Sequence, residues 1–477
     1  MSITATAIWE CRTTGDDTNG GGFDPKVSVP GTDFSQQNTP QITFSDLVIG
    51  NPSNTTVTSA GNPFGATSPG NFIHVTGGTG FTVGWYEILS VSGTTATLDR
   101  VVGTAGSTGG TGKLGGSMAS PGKVAGLMTG GNVCYIKNTG TYTITSTSAG
   151  VPNSVIVPPQ GVSNTAPTMF VGYNTTRTVT NTDVGPTINM GAGGGSSPSA
   201  VIQLGNPPQV FRNVTLTNTS AFSNWVGVQI TNATGTGGFV VERVQVNNLV
   251  GGFQILPGQI SDIRLFSCYA FGCTSYGYNP QQAGITFVQC TSDTCGTIGA
   301  NASGFLLQAN NILCVQCLAI NNNGSGFDQN IFNVSGGMFI DCDAYNNRGS
   351  LPNGCGFITG TGVMILVNCA AFGNQYNDIR DNLDLTPNFF NRVIACACQT
   401  YTTASFNIIS NLTTGPSVGV QVMGALSNSP WNNPGGKDFS LNSVQGQKCQ
   451  GQGFPRNFLN IPTASFWDIG AAQHQVP

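Results

Sequence analysis

The sequence predicts an all-β chain organised as a parallel β-helix, with a small β domain before it and a β cap after it. Three observations predict this. A cysteine recurs at Cys268, Cys290, Cys317, Cys342 and Cys369, at intervals of 22, 27, 25 and 27 residues. An aromatic or apolar marker recurs at Phe253, Tyr278, Phe305, Phe327, Phe357 and Ile379, and the distance from each cysteine to the next marker runs 10, 15, 10, 15 and 10. Short β-branched runs precede the cysteines, and Asn-rich turns such as Asn321–Asn323 and Asn346-Asn347 follow them. A period of 20–30 residues marks a solenoid, in which each unit buries its apolar face only by stacking on its neighbours. The alternation of 10 and 15 confines insertions to one turn of each rung.

Taken in order, residues 1–112 form a β-rich N-terminal domain. Residues 1 to about 40 are polar and Gly-rich with few β runs. Gln41–Val48, Phe72–Thr76, Tyr86–Ser90 and Thr95–Val101 alternate as strands of a small barrel or sandwich, and Thr104–Gly116 has the composition of a linker. Residues 113–395 hold a helix and the β-helix. Ser120 can cap and Pro121 suits the first turn of a helix reaching about Met128, stopped by Gly130-Gly131. A short apolar helix here would plug the open end of the first rung. Rungs begin at Asn132–Lys137 and Thr141–Thr145. They are clearest at Val240–Val246, Ile260–Phe266, Ile285–Val288, Ile312–Val315, Met338–Ile340 and Met364–Val367. Residues 396–477 read as an irregular β cap.

Composition excludes several function classes. Hydrophobic residues make up 39% of the 477, enough for a core, while charged residues are 8% against roughly 25% in ordinary domains. With a net charge of −4, the surface has no electrostatic grip on nucleic acid or anionic lipid. No apolar stretch approaches the length of a membrane span. Met1–Asp17 lacks a secretory pattern, which points to synthesis in a reducing cytoplasm. The 14 cysteines are therefore expected to be buried free thiols. Cys314/Cys317 and Cys396/Cys398 have metal-like spacing, but no second pair completes a zinc set, so neither metal nor cofactor is expected.

Catalysis on a glycan would need carboxylates roughly 5–10 Å apart. The dense acidic stretches are Asp341/Asp343 and Asp378/Asp381/Asp384. Asp341 and Asp343 flank Cys342, so if the cysteine points inward both carboxylates point outward on one side. Their plainer reading is as turn residues bonding local backbone, and that of Asp378, Asp381 and Asp384 is a solvated loop paired with Arg380. His74 and His474 read as surface or interface residues. Gly191–Ser197 lacks the Lys of a phosphate loop. The Asn-x-Ser/Thr sequons at Asn174, Asn218 and Asn411 are expected by chance in so Asn- and Thr-rich a chain. Trp9, Trp85, Trp225, Trp431 and Trp467 lie outside the clear repeats, which favours domain or subunit contacts over a sugar groove.

Three stretches carry a family resemblance. Trp9–Phe23 (WECRTTGDDTNGGGF), the helix and first rung in Gly122–Thr145, and Gly436–Leu441 together with Asp468–Ala471 resemble bacteriophage virion proteins with tailspike-like right-handed β-helices. The resemblance implies a homotrimer. It also implies one of two roles: tailspikes that bind or cut surface polysaccharide, or auxiliary cement proteins on the capsid. The first expectation is a non-enzymatic capsid-stabilising (decoration) protein on the capsid exterior, with residues 1–112 attaching it to the major capsid protein. The alternative is a tailspike that binds or depolymerises host polysaccharide, with Asp341 and Asp343 at work. A bacterial surface adhesin is a third, weaker reading.

Overall fold

A computed structural model describes residues 3–144, 154–180, 182–191, 199–219, 225–231, 237–258, 262–296, 302–329, 336–349, 354–359, 364–381, 392–394, 396–398, 431–433 and 438–441. The chain divides into two compact units. The first comprises Met1–Gly193, Ile202–Leu216 and Ala233–Phe239, and the second comprises Gly194–Val201, Thr217–Asn232 and Val240–Pro477.

In the first unit, six antiparallel strands close a barrel: Ile42–Ile49, Thr56–Thr58, Phe72–Gly77, Gly84–Ser92, Thr95–Leu98 and Gly110–Leu114. Phe44, Leu47, Val57, Ile73, Val75, Ile88, Leu98 and Leu114 fill it. The last strand corrects the linker expected at Thr104–Gly116, since Gly110–Leu114 pairs with both Ile42–Ile49 and Phe72–Gly77 and closes the barrel. Its glycines disguised it. A Cβ on Gly112 would stand 2.9 Å from the His74 carbonyl oxygen, and one on Gly110 would stand 2.4 Å from the Phe81 ring. The strand passes only where it has no side chain.

The polar N-terminal stretch contributes a strand, Ile8–Cys11. It pairs in parallel with Val133–Lys137, Ile8 opposite Val133 and Cys11 opposite Ile136, and Val133–Lys137 pairs in turn with Thr168–Tyr173. Trp9 is fully buried, packs on Phe72 at 5.1 Å and donates its Nε1–H to Asn132 Oδ1 at 3.2 Å. The helix is shorter than expected, Pro121–Ala125, and the Ser120 side chain does not cap it. Asp17 instead fixes the residues that lead into it. Its Oδ1 accepts from the amides of Ala119 and Ser120 at 2.9 Å each, and its Oδ2 from Ser120 Oγ at 2.5 Å. Val124, Ala125, Leu127 and Met128 are buried, and the helix packs on Ile8–Cys11 and Val133–Lys137; the edge of Val133–Lys137 is covered by the strand Ile8–Cys11.

The second unit is a right-handed parallel β-helix with three faces. Its first sheet stacks Ile263–Phe266, Ile285–Val288, Ile312–Val315, Gly337–Ile340, Met364–Val367 and Arg392–Ile394. The second stacks Tyr269–Phe271, Thr291–Asp293, Leu318–Ile320, Asp343–Tyr345, Ala370–Phe372 and Ala397–Cys398. The third stacks Trp225–Ile230, Gly251–Ile255, Tyr276–Pro280, Ser303–Leu306, Phe327–Asp328, Phe357–Thr359 and Ile379–Asp381. One left-handed residue turns each rung from the first sheet to the second: Ser267, Gln289, Gln316, Asp341 and Asn368, with φ between 50° and 54°. Thr294, Asn321 and Asn346, with Gly272 and Gly373, do the same at the second corner. Single-residue corners of this kind suit polar side chains and glycine.

The repeated residues form interior columns. Each cysteine after the first corner donates its Sγ–H to a carbonyl of the preceding rung: Cys268 to Val241, Cys290 to Leu265, Cys317 to Phe287, Cys342 to Cys314 and Cys369 to Phe339, at 3.4–3.6 Å. The described cysteines from Cys11 to Cys396 are buried free thiols, as expected. Burial pushes the Cys290 and Cys342 thiols well above their ordinary range. The markers stack as rings: Phe253 on Tyr278 at 4.8 Å, Tyr278 on Phe305 at 4.4 Å, Phe305 on Phe327 at 4.7 Å and Phe327 on Phe357 at 4.8 Å. After the second corner a third column changes chemistry, from Cys273 and Cys295 to Asn322, Asn347 and Asn374. Asn322 Nδ2 donates to Asn347 Oδ1 and Asn347 Nδ2 to Asn374 Oδ1, each at 2.8 Å, and Asn374 Nδ2 donates to Asp378 Oδ1 at 2.7 Å. The 15-residue spacings place their insertions at 297–301 and 350–353, outside the described residues. Of the expected C-terminal cap, the hairpin Trp431–Asn433 with Asp438–Leu441 is described, and the remainder after 398 lies outside the described residues.

Candidate functional site

Each rung of the second sheet repeats Cys-x-Ala-x or a close variant: Cys268-Tyr-Ala-Phe271, Cys290-Thr-Ser-Asp293, Cys317-Leu-Ala-Ile320, Cys342-Asp-Ala-Tyr345 and Cys369-Ala-Ala-Phe372. Strand side chains alternate, so with the cysteine and the small residue inside, the other two face outward. Register aligns them in two columns. One runs Tyr269, Thr291, Leu318, Asp343, Ala370, and the other Phe271, Asp293, Ile320, Tyr345, Phe372. The outward columns thus carry aromatic rings, of which Phe271 is exposed, together with two carboxylates, Asp293 and Asp343, that are both buried. The Tyr269 hydroxyl donates to Asp293 Oδ2 at 2.7 Å, and Thr294 Oγ1 donates to Asp293 Oδ1 at 2.8 Å. Tyr269 lies 6.2 Å from Phe271, and Tyr345 lies 6.4 Å from Phe372 with the rings 4° from parallel. Phe271 is 37% exposed.

Asp341 and Asp343 sit where this face meets the first corner, Asp341 as the left-handed corner residue and Asp343 as the first residue of its strand. Both are fully buried, as is Cys342 between them; Asp341 is the turn residue expected, while Asp343 belongs to the strand. Burying a carboxylate is costly unless its surroundings compensate it, so two on one rung of so weakly charged a chain mark a constrained site. Two residues apart, their Cα atoms are at most about 7 Å from one another.

The other acidic candidates separate. Asp378 is buried and ends the asparagine column, where it also accepts from the Asn374 amide at 3.3 Å, instead of lying in a solvated loop. Arg380 and Asp381 belong to the third sheet, opposite Ile358 and Thr359. Asp384, His474, Trp467, Asn411 and all of Gly191–Ser197 except Gly191 lie outside the described residues. His74 is not at the surface. It is buried on the side of its strand opposite the barrel-filling Ile73 and Val75, stacked on Trp85 at 3.7 Å, with Nδ1 2.7 Å from the Thr18 carbonyl oxygen, and burial lowers its pKa. Trp85 and Trp225 are also buried.

Sequence reasoning missed two charged clusters in the first unit. Glu10, fully buried, takes Arg177 Nη2 at 2.8 Å and Nε at 3.0 Å on Oε2, and Arg12 Nε at 3.0 Å and the Tyr173 hydroxyl on Oε1. Arg177 Nη1 also reaches Asp33 Oδ2 at 2.8 Å. Glu87 is buried near Asp24 and Asp99, with Thr4 Oγ1 donating to its Oε2 at 3.3 Å and to Asp24 Oδ2 at 2.8 Å. Burial first, then the Asp24 charge, raises the Glu87 carboxyl from its ordinary 4.5 to about 8. Between those values the folded chain holds a proton that the unfolded chain has lost, so stability falls as pH rises from about 5 to about 8. In a thermal melt series, Glu87→Gln should flatten that slope; an unchanged slope would place its origin elsewhere.

No family model matches the chain, and no curated protein matches it in sequence. Among solved structures, it is similar to the pectate lyase Pel9A at 15% identity, over 75% of this chain and 91% of that one, with a TM-score of 0.47. It is similar to the tailspike protein gp49 of Pseudomonas phage LKA1 at 12% identity, over 79% of this chain and 55% of that one (TM-score 0.23). It is also similar to the catalytic domain of a GH87 α-1,3-glucanase at 13% identity, over 70% and 85%, with a TM-score of 0.23. The expectation of a non-enzymatic chain is corrected at this point. The solved structures it is similar to include a lyase and a glucanase, and the carboxylates read as turn residues bonding local backbone are buried together on one rung.

Proposed function

We propose that this chain is a tailspike-like virion protein that binds surface polysaccharide along the outer face of its second sheet and cleaves it with Asp341 and Asp343. One observation carries the reading: Tyr269, Phe271, Tyr345 and Phe372 line the outer side of one sheet, and two carboxylates, Asp341 and Asp343, are held together on one of its rungs. Ring faces suit the C–H faces of sugars, and a pair of carboxylates on one rung is the acid–base equipment that glycan cleavage requires. The phage-like stretches at both ends of the sequence support a place on the particle. We propose the homotrimer on the same ground.

Incubation of the purified chain with a panel of bacterial surface polysaccharides should release shorter chains, measured as new reducing ends or unsaturated termini. Asp343→Asn and Asp341→Asn should each slow release by about 10²–10⁴-fold while leaving binding in place. Wild-type rates in both variants, or a panel left intact by the unmodified chain, would sink the reading. Counting copies per virion separates the two positions: a few trimers fit the tail, whereas hundreds of copies bound to the major capsid protein fit the capsid exterior.

A further inference from the structure

Outward positions on the first sheet of the β-helix are apolar rung after rung. Its strands alternate buried and partly exposed residues, as in Ile285–Val288, Ile312–Val315 and Met364–Val367. Register aligns the outward ones in two columns. One runs Phe266, Val288, Val315, Ile340 and Val367, and the other carries Leu313, Met338 and Ile365 after Thr286. From Thr286 to Val367 the columns hold no charged residue and a single hydroxyl. Met338 is 39% exposed. Charge begins only at the end of the face, where Arg264 pairs with Asp262 at 2.6 Å. A polar ladder borders it at the first corner. Ser267 Oγ donates to Gln289 Oε1 at 3.3 Å, and Gln289 Nε2 to Gln316 Oε1 at 3.2 Å. A contiguous outward apolar patch marks a contact with another macromolecule, and an apolar centre with a polar rim is the anatomy of a protein–protein interface.

We propose that this face packs against the same face of further copies of the chain, gathered about a threefold axis parallel to the stack. The assignment rests on the homotrimer proposed above and is independent of polysaccharide cleavage. Two features select a copy over another partner. Rotation about such an axis preserves height, so each rung meets its own counterpart. Val315 comes level with Val315 and Ile340 with Ile340, apolar against apolar at every step. The occupant must also offer uncharged side chains at each rung, about 4.8 Å apart, and this face supplies that pitch to itself. Five rungs by one strand width give only roughly 300 Å², against roughly 800 Å² per partner in a stable complex. The polar corner ladder therefore belongs to the contact as its rim.

Sedimentation of the full chain tests this. The unmodified chain should sediment at the mass of three copies. Val315→Lys combined with Ile340→Lys sets like charges level with one another on two rungs. That variant should sediment as single copies, with its circular dichroism unchanged. Met338→Cys leaves the face uncharged, and a short bis-maleimide should link it to its counterpart in the next copy, giving a doubled band on a denaturing gel that the unmodified chain lacks. If the double lysine variant fails to fold, this linkage decides alone. A single-copy mass for the unmodified chain overturns the inference and the homotrimer with it, and leaves the polysaccharide assay untouched. A mass of two copies overturns the threefold arrangement. A trimer that persists in the folded lysine variant, or Met338→Cys without linkage, overturns the assignment to this face and leaves the homotrimer standing.

Discussion

Phe305→Ala is expected to lower the free energy of unfolding by about 3–5 kcal/mol. Phe305 is fully buried and stacks on Tyr278 at 4.4 Å and on Phe327 at 4.7 Å, with Phe287 edge-on at 5.9 Å. Truncation therefore loses the burial of a phenyl ring and breaks three ring contacts at once. The backbone on either side is held in register to neighbouring rungs, so the cavity cannot collapse, and unrelaxed cavities sit at the costly end of the range. Because a solenoid's stability is a sum over neighbours, the loss should be local. Hydrogen exchange should quicken in Tyr276–Pro280, Ser303–Leu306 and Phe327–Asp328 before it does in the barrel. A destabilisation below about 1 kcal/mol would mean that the ring column is not what holds the rungs.

Arg177→Ala should also be costly, about 3 kcal/mol, because it strips two charge-assisted hydrogen bonds from a buried carboxylate that keeps Arg12 as its remaining cation. Glu10 is fully shielded and Arg177 is 16% exposed, so solvent cannot replace the lost partner. The guanidinium also binds Asp33 and lies over the Tyr135 ring at 4.9 Å, tying the N-terminal strand to elements far along the chain. The discriminating measurement is a double variant. Glu10→Gln with Arg177→Ala removes both charges and should recover more than half of the loss in urea unfolding. No recovery would show that the loss comes from packing of the arginine stem.

Much of the fold was legible because inward residues repeat with each rung. Cys317, Cys342, Phe327 and Phe357 meet the same interior in every turn, so one period exposes them all. The outward residues were legible in the same motif, Cys-x-Ala-x, yet only once the cysteine's direction is known. Counting tryptophans overlooked Phe271, Tyr345 and Phe372. Gly110–Leu114 was hidden because two of its positions, Gly110 and Gly112, have no room for a Cβ, and their glycines give the strand the composition of a linker. The Glu10–Arg177 pair spans 167 residues, and no local pattern encodes such a meeting. The burial of Asp341 and Asp343 was equally out of reach, since an outward position sets direction and not depth.

The asparagine column has a polarity. Ser292 Oγ donates to Asn322 Oδ1 at 2.9 Å, and from there every side-chain amide hands its N–H to the next oxygen toward the C-terminus until Asp378, which accepts and passes nothing on. Aligned amides polarise one another, and an acceptor carboxylate is the terminus that favours this direction. The column behaves as a one-way zipper with a stop. Excising a whole rung between Asn322 and Asn374 would rejoin like to like and leave the chain of donors unbroken, whereas adding a rung beyond Asp378 would meet a residue with no proton to give. The rungs themselves run on past that carboxylate, to Arg392–Ile394 and Ala397–Cys398, so what ends at Asp378 is the relay of amide protons and not the stack.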